Sequence, residues 1–244
     1  MTLIQILLES FRWTELLQPQ FYIEHGGLWL LLFVVFAETG LFAGFFFPGD
    51  SLLFVAGIYA HEMDKDGQLV PGLSYQFLKL IGMGGLQNEL LDLFVIILLI
   101  AFAGFFGNLV GYWTGKKIGP AMYHWKDGVF FKQRYLQQAH DFYEKRGGSA
   151  IIIARFIPLI RTFAPIVAGI VRMEHRKFNF FNVVGCLAWV ITMILAGHFL
   201  QKWMLSAFNF DLKQHLEIIV LGIVLVTTAP VIFQLIRGKK KTSQ

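Results

Sequence analysis

Charge is what this sequence has least of. Asp, Glu, Lys and Arg together make up 15% of its 244 residues, against roughly 25% in ordinary soluble domains. Apolar residues, at 56%, take up the difference. They gather in runs of roughly twenty, the length that crosses a bilayer's hydrocarbon core. Cysteine is almost absent. The single Cys186 lies inside an apolar run, which excludes a disulfide framework and a thiolate metal site. Seven histidines show neither H-x-x-x-H nor H-E-x-x-H spacing. There is no G-x-S-x-G, no Walker loop and no dinucleotide fingerprint. We therefore expect no catalytic residue, no metal and no cofactor. The first residues, MTLIQILLESFRWTELL, have neither a basic n-region nor an A-x-A cleavage site, so a cleaved signal peptide is not expected.

The apolar runs predict an all-α integral membrane protein, one membrane domain over residues 1–244. Residues 1–18 have helical spacing with a polar face and read as an interfacial helix ended by Pro19. Residues 28–60 are apolar except for Glu38 and the break Pro48-Gly49-Asp50. Two half-length apolar runs around Pro-Gly predict a re-entrant hairpin. Residues 61–92 read as a polar, mostly acidic outer loop. Residues 93–114 predict a span, and Gly104, Gly107, Gly111 and Gly115 give G-x-x-x-G spacings that permit close helix contact or a homodimer.

Residues 115–148 are basic and so expected in the cytoplasm, with 131–146 an amphipathic helix on the membrane surface. Residues 149–170 are apolar but carry Arg155, Arg161, Pro158 and Pro165, and are basic on both flanks. A span would place one basic flank outside. A second hairpin, entering and leaving on the cytoplasmic side, satisfies both. Residues 178–200 then span outward, 202–215 form a short outer loop, 216–236 span back, and the tail 237–244 is cytoplasmic. The count is about three full transmembrane helices and two opposed hairpins. PGDSLLFVAG, ending at Gly57, and RTFAPIVAG, ending at Gly169, also rhyme. Interrupted segments at matching places in two halves are the pattern of an inverted-repeat transporter. The net charge of +5 sits largely in the tail and in Lys116 to Arg146, which points to anionic lipid rather than nucleic acid.

Ionisable groups at membrane depth are functional candidates. On a straight helix Arg155 and Arg161 would face different ways. A break near Pro158 could bring both guanidiniums to one place. Glu38 and Asp50 belong to the other hairpin. One reading is mutual neutralisation inside a bundle. The other is a phosphate site, because guanidinium forks match phosphate oxygens bidentately, with protonation of a carboxylate coupling anion movement to protons. Asn108 and Asn182 are expected to hydrogen-bond between helices. Trp113, Trp189 and Trp203 read as belt or packing residues.

At these residues the chain resembles the DedA family of membrane proteins, the VTT-domain group. The matching text is E-T-G-L at 38–41, F-x-P-G-D-S-L-L-F-x-A-G at 46–57, G-N-x-x-G-Y-x-x-G at 107–115 and F-Y-E-K-x-G-G at 142–148. It continues with A-R-F-I-P-x-x-R-T-F-A-P-x-x-A-G at 154–169 and N-x-x-G-x-x-x-W at 182–189. The resemblance implies a multi-pass protein of the bacterial cytoplasmic membrane that returns undecaprenyl phosphate across it. It also implies an essential acidic pair at Glu38 and Asp50 and an essential arginine pair at Arg155 and Arg161. Other members are tied to envelope integrity and alkaline pH. Two departures are Asn108, where relatives often have Asp, and His198 with Gln201, where Tyr and Gly are common. The implied partners are a lipid, polyprenyl phosphate or phospholipid, and protons. Two other functions stand beside this one: a proton-coupled cation antiporter or pH-homeostasis protein using the same carboxylates and arginines, and a scaffold working instead through loop 115–148.

Overall fold

The computed structural model describes residues 19–41, 49–60, 63–65, 68–70, 72–83, 88–122, 141, 143, 145–210 and 212. Among the described residues seven helices carry the fold: α1 Pro19–Gly40, α2 Gly49–Ile58, α3 Leu73–Leu80, α4 Glu89–Met122, α5 Ser149–Arg155, α6 Pro158–Ile170 and α7 His175–Phe208. A small antiparallel pair, β1 Met63–Lys65 and β2 Gln68–Val70, has the register Met63↔Val70, Asp64↔Leu69, Lys65↔Gln68. The expected interfacial helix 1–18, most of the basic loop, the 216–236 span and the tail lie outside the described residues.

The helices α4 and α7 are long and apolar enough to cross a membrane. Each has 34 residues, about 50 Å at 1.5 Å per residue, more than a hydrocarbon core of about 30 Å. They therefore overrun the expected spans 93–114 and 178–200. The first half of the expected loop 202–215 is also helical, as α7 continues to Phe208. It stops in a left-handed cap: Asn209 has φ 50°, and the N–H of Phe210 donates to Met204 O at 3.3 Å. Their exposed faces are apolar. On α4, Phe94, Leu98, Phe102, Phe106 and Val110 recur every fourth residue on the outside. That is the surface of a helix in hydrocarbon, since water would penalise so long an apolar stripe.

The described residues fall into two compact units, one from 19–31, 49–96 and 193–212, and a second from 32–41 and 97–192. In the first, α2 is buried along its whole length. It lies so close to α7 that a Cβ on Gly57 would stand 2.1 Å from Ile194 O, and one on Gly197 2.0 Å from Phe54 O. The stretch expected as a plain polar loop holds the β pair and α3. Ser74 on α3 bonds the buried Asp92. The α1 helix kinks at Gly27, whose φ of 55° suits glycine. The next N–H, on Leu28, is capped by Gln76 Oε1 at 2.8 Å. At the start of α4, Glu89 bonds Lys202 and lies 3.2 Å from His198 Nε2.

In the second unit the stretch 149–170 is broken, as expected. The α5 helix ends at Arg155 and α6 begins at Pro158. Ile157 is extended, with φ −112° and ψ 106°, the backbone a following proline imposes. Pro158 at the first helical turn costs no helical hydrogen bond. Further on, α6 runs alongside α4. Cβ atoms on Gly111, Gly115 and Gly119 would meet Pro165, Ile166 and Ile170 in that order, so the two helices are parallel. Tyr112 pins the end of α6, donating to Met173 O at 2.6 Å and stacking on Phe178 with centroids 4.4 Å apart. Tyr143 donates to Ala164 O at 3.0 Å. Burial pushes its phenol pKa up, so the donor is kept.

Candidate functional site

The site lies in the second unit and begins with the break at residues 156–157. Arg155 ends α5 and Arg161 sits in the first turns of α6. Both are buried, at 5% and 8% exposure. Both guanidiniums lie over one indole, that of Trp189 on α7: the Arg161 Cζ is 4.9 Å from the ring centroid and the Arg155 Cζ 5.8 Å. Trp189 itself is wholly buried. Guanidinium over an indole face is a favourable geometry, and more so away from water.

Glu38 reaches this place from α1. The end of α1 passes α4 very closely, since a Cβ on Gly40 would stand 2.6 Å from Gly107 O, and one on Gly107 2.1 Å from Thr39 Oγ1. Small residues at this crossing let the helices approach. The buried Glu38 carboxylate then forms a salt bridge with Arg161. Arg155 has a different partner. It donates to Asn182 Oδ1 at 2.7 Å, and that oxygen also accepts from Asn108 Nδ2 at 2.8 Å. Asn182 Nδ2 donates onward to Phe105 O at 3.3 Å.

Asn182 is therefore a junction between α4, α5 and α7. Replacing it with leucine would strand the Asn108 amide and part of the Arg155 fork. Each buried unsatisfied group costs about 1–3 kcal/mol, more when charged. We expect Asn182→Leu to destabilise the folded protein by about 3 kcal/mol in detergent unfolding. Asn182→Asp, which keeps the acceptor and adds a counter-charge for Arg155, should cost less.

Of the residues singled out in the sequence, Arg155, Arg161, Glu38, Asn108 and Asn182 come together here, with Pro158 and Pro165 on α6 shaping the approach. Gly49 and Asp50 open α2 in the first unit, where Asp50 is buried at 7% exposure. Pro48 lies outside the described residues. Trp189 reads as packing in the sequence, and nothing around it there tells a packing tryptophan from a shelf for two cations. Among the described residues no cluster of His, Cys, Asp and Glu could hold a metal.

Long helices with apolar outer faces, around a buried arginine–glutamate pair, define a helical membrane protein with a charged interior site. The model of the VTT domain matches residues 27–199, most of the chain. Protein DedA of Escherichia coli K12 is 32% identical over 247 residues, covering 100% of this chain and 99% of that protein. An uncharacterised membrane protein of Mycobacterium leprae is 31% identical, covering 93% of this chain and 90% of its own length. The inner membrane protein YqjA of E. coli K12 is 32% identical over 180 residues, 72% of this chain and 69% of that one. No solved structure matches. The chain belongs to the DedA family of membrane proteins, and the VTT domain is its family domain.

Proposed function

We propose that this protein carries a lipid phosphate across the bacterial inner membrane, undecaprenyl phosphate being the cargo. The observation that carries the reading is the pair of buried guanidiniums on one indole, that of Arg161 paired with the Glu38 carboxylate. So many charges at depth are costly unless they serve transport or a ligand. Guanidinium forks suit a phosphoryl group. In this reading the head group sits on Arg155 and Arg161 while the polyprenyl tail stays in lipid. Protonation of Glu38 or Asp50 gates release. The inner-membrane location follows the relative YqjA, an inner membrane protein of E. coli.

Two packing features support the hairpin and repeat architecture behind this reading. First, α6 is parallel to α4, so the basic ends Lys116, Lys117 and Arg172 fall on one side, the cytoplasmic one by charge. Second, the two units use one packing device. Gly57 of F-V-A-G meets the carbonyl three residues before Gly197, and Gly197 meets the carbonyl three before Gly57. Gly169 of I-V-A-G and Gly115 are related in the same reciprocal way, through Tyr112 O and Ile166 O. A packing device used twice supports the reading of an inverted repeat with a site at its interrupted segments.

The test is translocation of labelled undecaprenyl phosphate in proteoliposomes. Arg161→Ala should abolish it, with a rate at least about 100-fold lower, the cost of losing a buried charge-assisted contact. Full activity in that variant would remove Arg161 from the role. Proton flux that depends on Na⁺ or K⁺, with no lipid cargo present, would favour a cation antiporter.

A further inference from the structure

A separate polar cluster lies in the second unit, where the turn after α6 enters α7. The His175 ring packs against the rings of Tyr112 and Trp113, with centroids 5.4 Å and 5.3 Å apart. Its Nε2 lies 3.1 Å from Asn179 Nδ2, one helical turn on. His175 Nδ1 and Asn179 Oδ1 are buried, with no hydrogen-bond partner among the described residues. With a neutral imidazole, either orientation of the Asn179 amide leaves the same need. In one, Nδ2 donates to Nε2, so Nδ1–H is an unmet donor and Oδ1 an unmet acceptor. In the other, Nε2–H donates to Oδ1, and Nδ1 and Nδ2 are left as acceptor and donor. Burying such groups unpaired is costly. What complements them is a molecule that offers one acceptor and one donor.

The surroundings of this pair are amphipathic. On α4 the outward stripe of Phe106 and Val110 runs on to Trp113, half exposed, and then to the exposed Lys116. Trp113 links Lys116 to His175, since Lys116 Nζ stands 5.1 Å from its ring centroid. Hydrocarbon, indole and ammonium in that order match a bilayer read outward to its surface. On α7 Arg176 and Lys177 are exposed beside His175, and Glu174 pairs with Lys177 at 3.2 Å. The turn adds another cation. Arg172, with φ 56°, takes the position after α6 where glycine is usual. Its N–H donates to Gly169 O at 3.0 Å, and that of Met173 to Ala168 O at 2.9 Å. Keeping a side chain there strains the backbone.

We propose that this cluster binds the head group of an anionic glycerophospholipid with free hydroxyls, of the phosphatidylglycerol kind. The phosphate meets Lys116 and the donor of the buried pair. A head-group hydroxyl meets the acceptor, and the acyl chains lie along Phe106 and Val110. A zwitterionic head group would bring an ammonium among cations. The lipid joins α4 to α7 and is held there rather than carried. The proposal does not rest on the carrier reading, because it uses none of the residues of the arginine site.

Two measurements on the full-length protein in delipidated micelles test it: bound lipid by native mass spectrometry, and thermal unfolding. The probes are dioleoyl phosphatidylglycerol, phosphatidylmethanol (as anionic, but without hydroxyls), phosphatidylethanolamine and soluble glycerol phosphate. Phosphatidylglycerol should bind about tenfold tighter than the other lipids and raise the unfolding temperature. The double variant His175→Phe/Asn179→Leu keeps the ring packing and removes both unmet groups. Without lipid it should be as stable as the starting protein or more so. It should bind phosphatidylglycerol only as tightly as phosphatidylmethanol. Lys116→Gln, a surface change, should weaken both anionic lipids about fivefold and leave the preference between them. Arg172→Gly should do the same while unfolding at a higher temperature, since it relieves the left-handed residue.

Equal affinity for phosphatidylglycerol and phosphatidylmethanol in the starting protein would overturn the proposal, since a bridging water would then serve the buried pair. So would a double variant that keeps the preference, or one less stable than the starting protein without lipid, which would give the pair a purely structural part. Phosphatidylethanolamine matching phosphatidylglycerol would overturn the anionic head group. Glycerol phosphate matching it would overturn the lipid. Each of these results leaves the phosphate carrier standing.

Discussion

Glu38→Ala should be the most damaging single change to the interior, destabilising the protein by about 3–5 kcal/mol, the range for breaking a buried ion pair from one side. Arg161→Ala should cost less. Removing the acid leaves two like-charged buried guanidiniums on one indole, without the Glu38 charge beside them. Removing Arg161 leaves Glu38 and Arg155, a sum of zero. Both variants break the same salt bridge, so their order follows from the charge left behind. Unfolding in mixed micelles, read by the tryptophan signal or by mobility, measures it.

The double variant Glu38→Met/Arg161→Met sharpens the point. A buried ion pair replaced by apolar residues of similar volume is often neutral or stabilising. This variant should recover most of the stability that Glu38→Ala forfeits, yet translocate nothing. Such a result separates two readings that the sequence leaves side by side. If the pair only neutralised charge within the bundle, a stable apolar substitute would work. A folded and inactive double variant means the charges are kept for something the fold does not need.

Much of this arrangement can be read from the chain because prolines act locally. Pro158 forces the preceding residue out of the helix, so the break between Arg155 and Arg161 is visible without coordinates. The spans are legible from their length and apolarity, but not their ends, because α4 and α7 continue as polar helix beyond the apolar run. The β1–β2 pair escapes a sequence reading because its strands have three residues each, too few for an alternation to register. Trp189 is out of reach for another reason. Its partners lie on α5 and α6, and only the folded chain brings both cations over its ring. Asn182 is expected to bond another helix, and it does. That it also fixes Arg155 depends on the turn at residues 156–157, which no spacing rule describes.

Alanine at Gly169 or Gly115 should cost about 3 kcal/mol or more, at the upper end of the range for overpacking. The clash is with backbone. The added Cβ would stand 2.0 Å from Tyr112 O at Gly169, and 1.9 Å from Ile166 O at Gly115. A side chain could swing aside, whereas here α4 and α6 must separate along their length. Gly82 and Gly147 supply the comparison. They have φ of 75° and 58° with nothing within 4 Å of the added carbon, so alanine there should cost only the left-handed backbone penalty of about 1–2 kcal/mol. Gly57→Ala and Gly197→Ala test the other unit, where the carbonyls are 2.1 Å and 2.0 Å away. If the halves share one packing device, these two should match Gly169→Ala and Gly115→Ala in thermal unfolding, and all four should exceed Gly82→Ala. A Gly57→Ala protein no less stable than Gly82→Ala would mean that the likeness between F-V-A-G and I-V-A-G is one of letters alone. The structural basis for a repeat would then go with it.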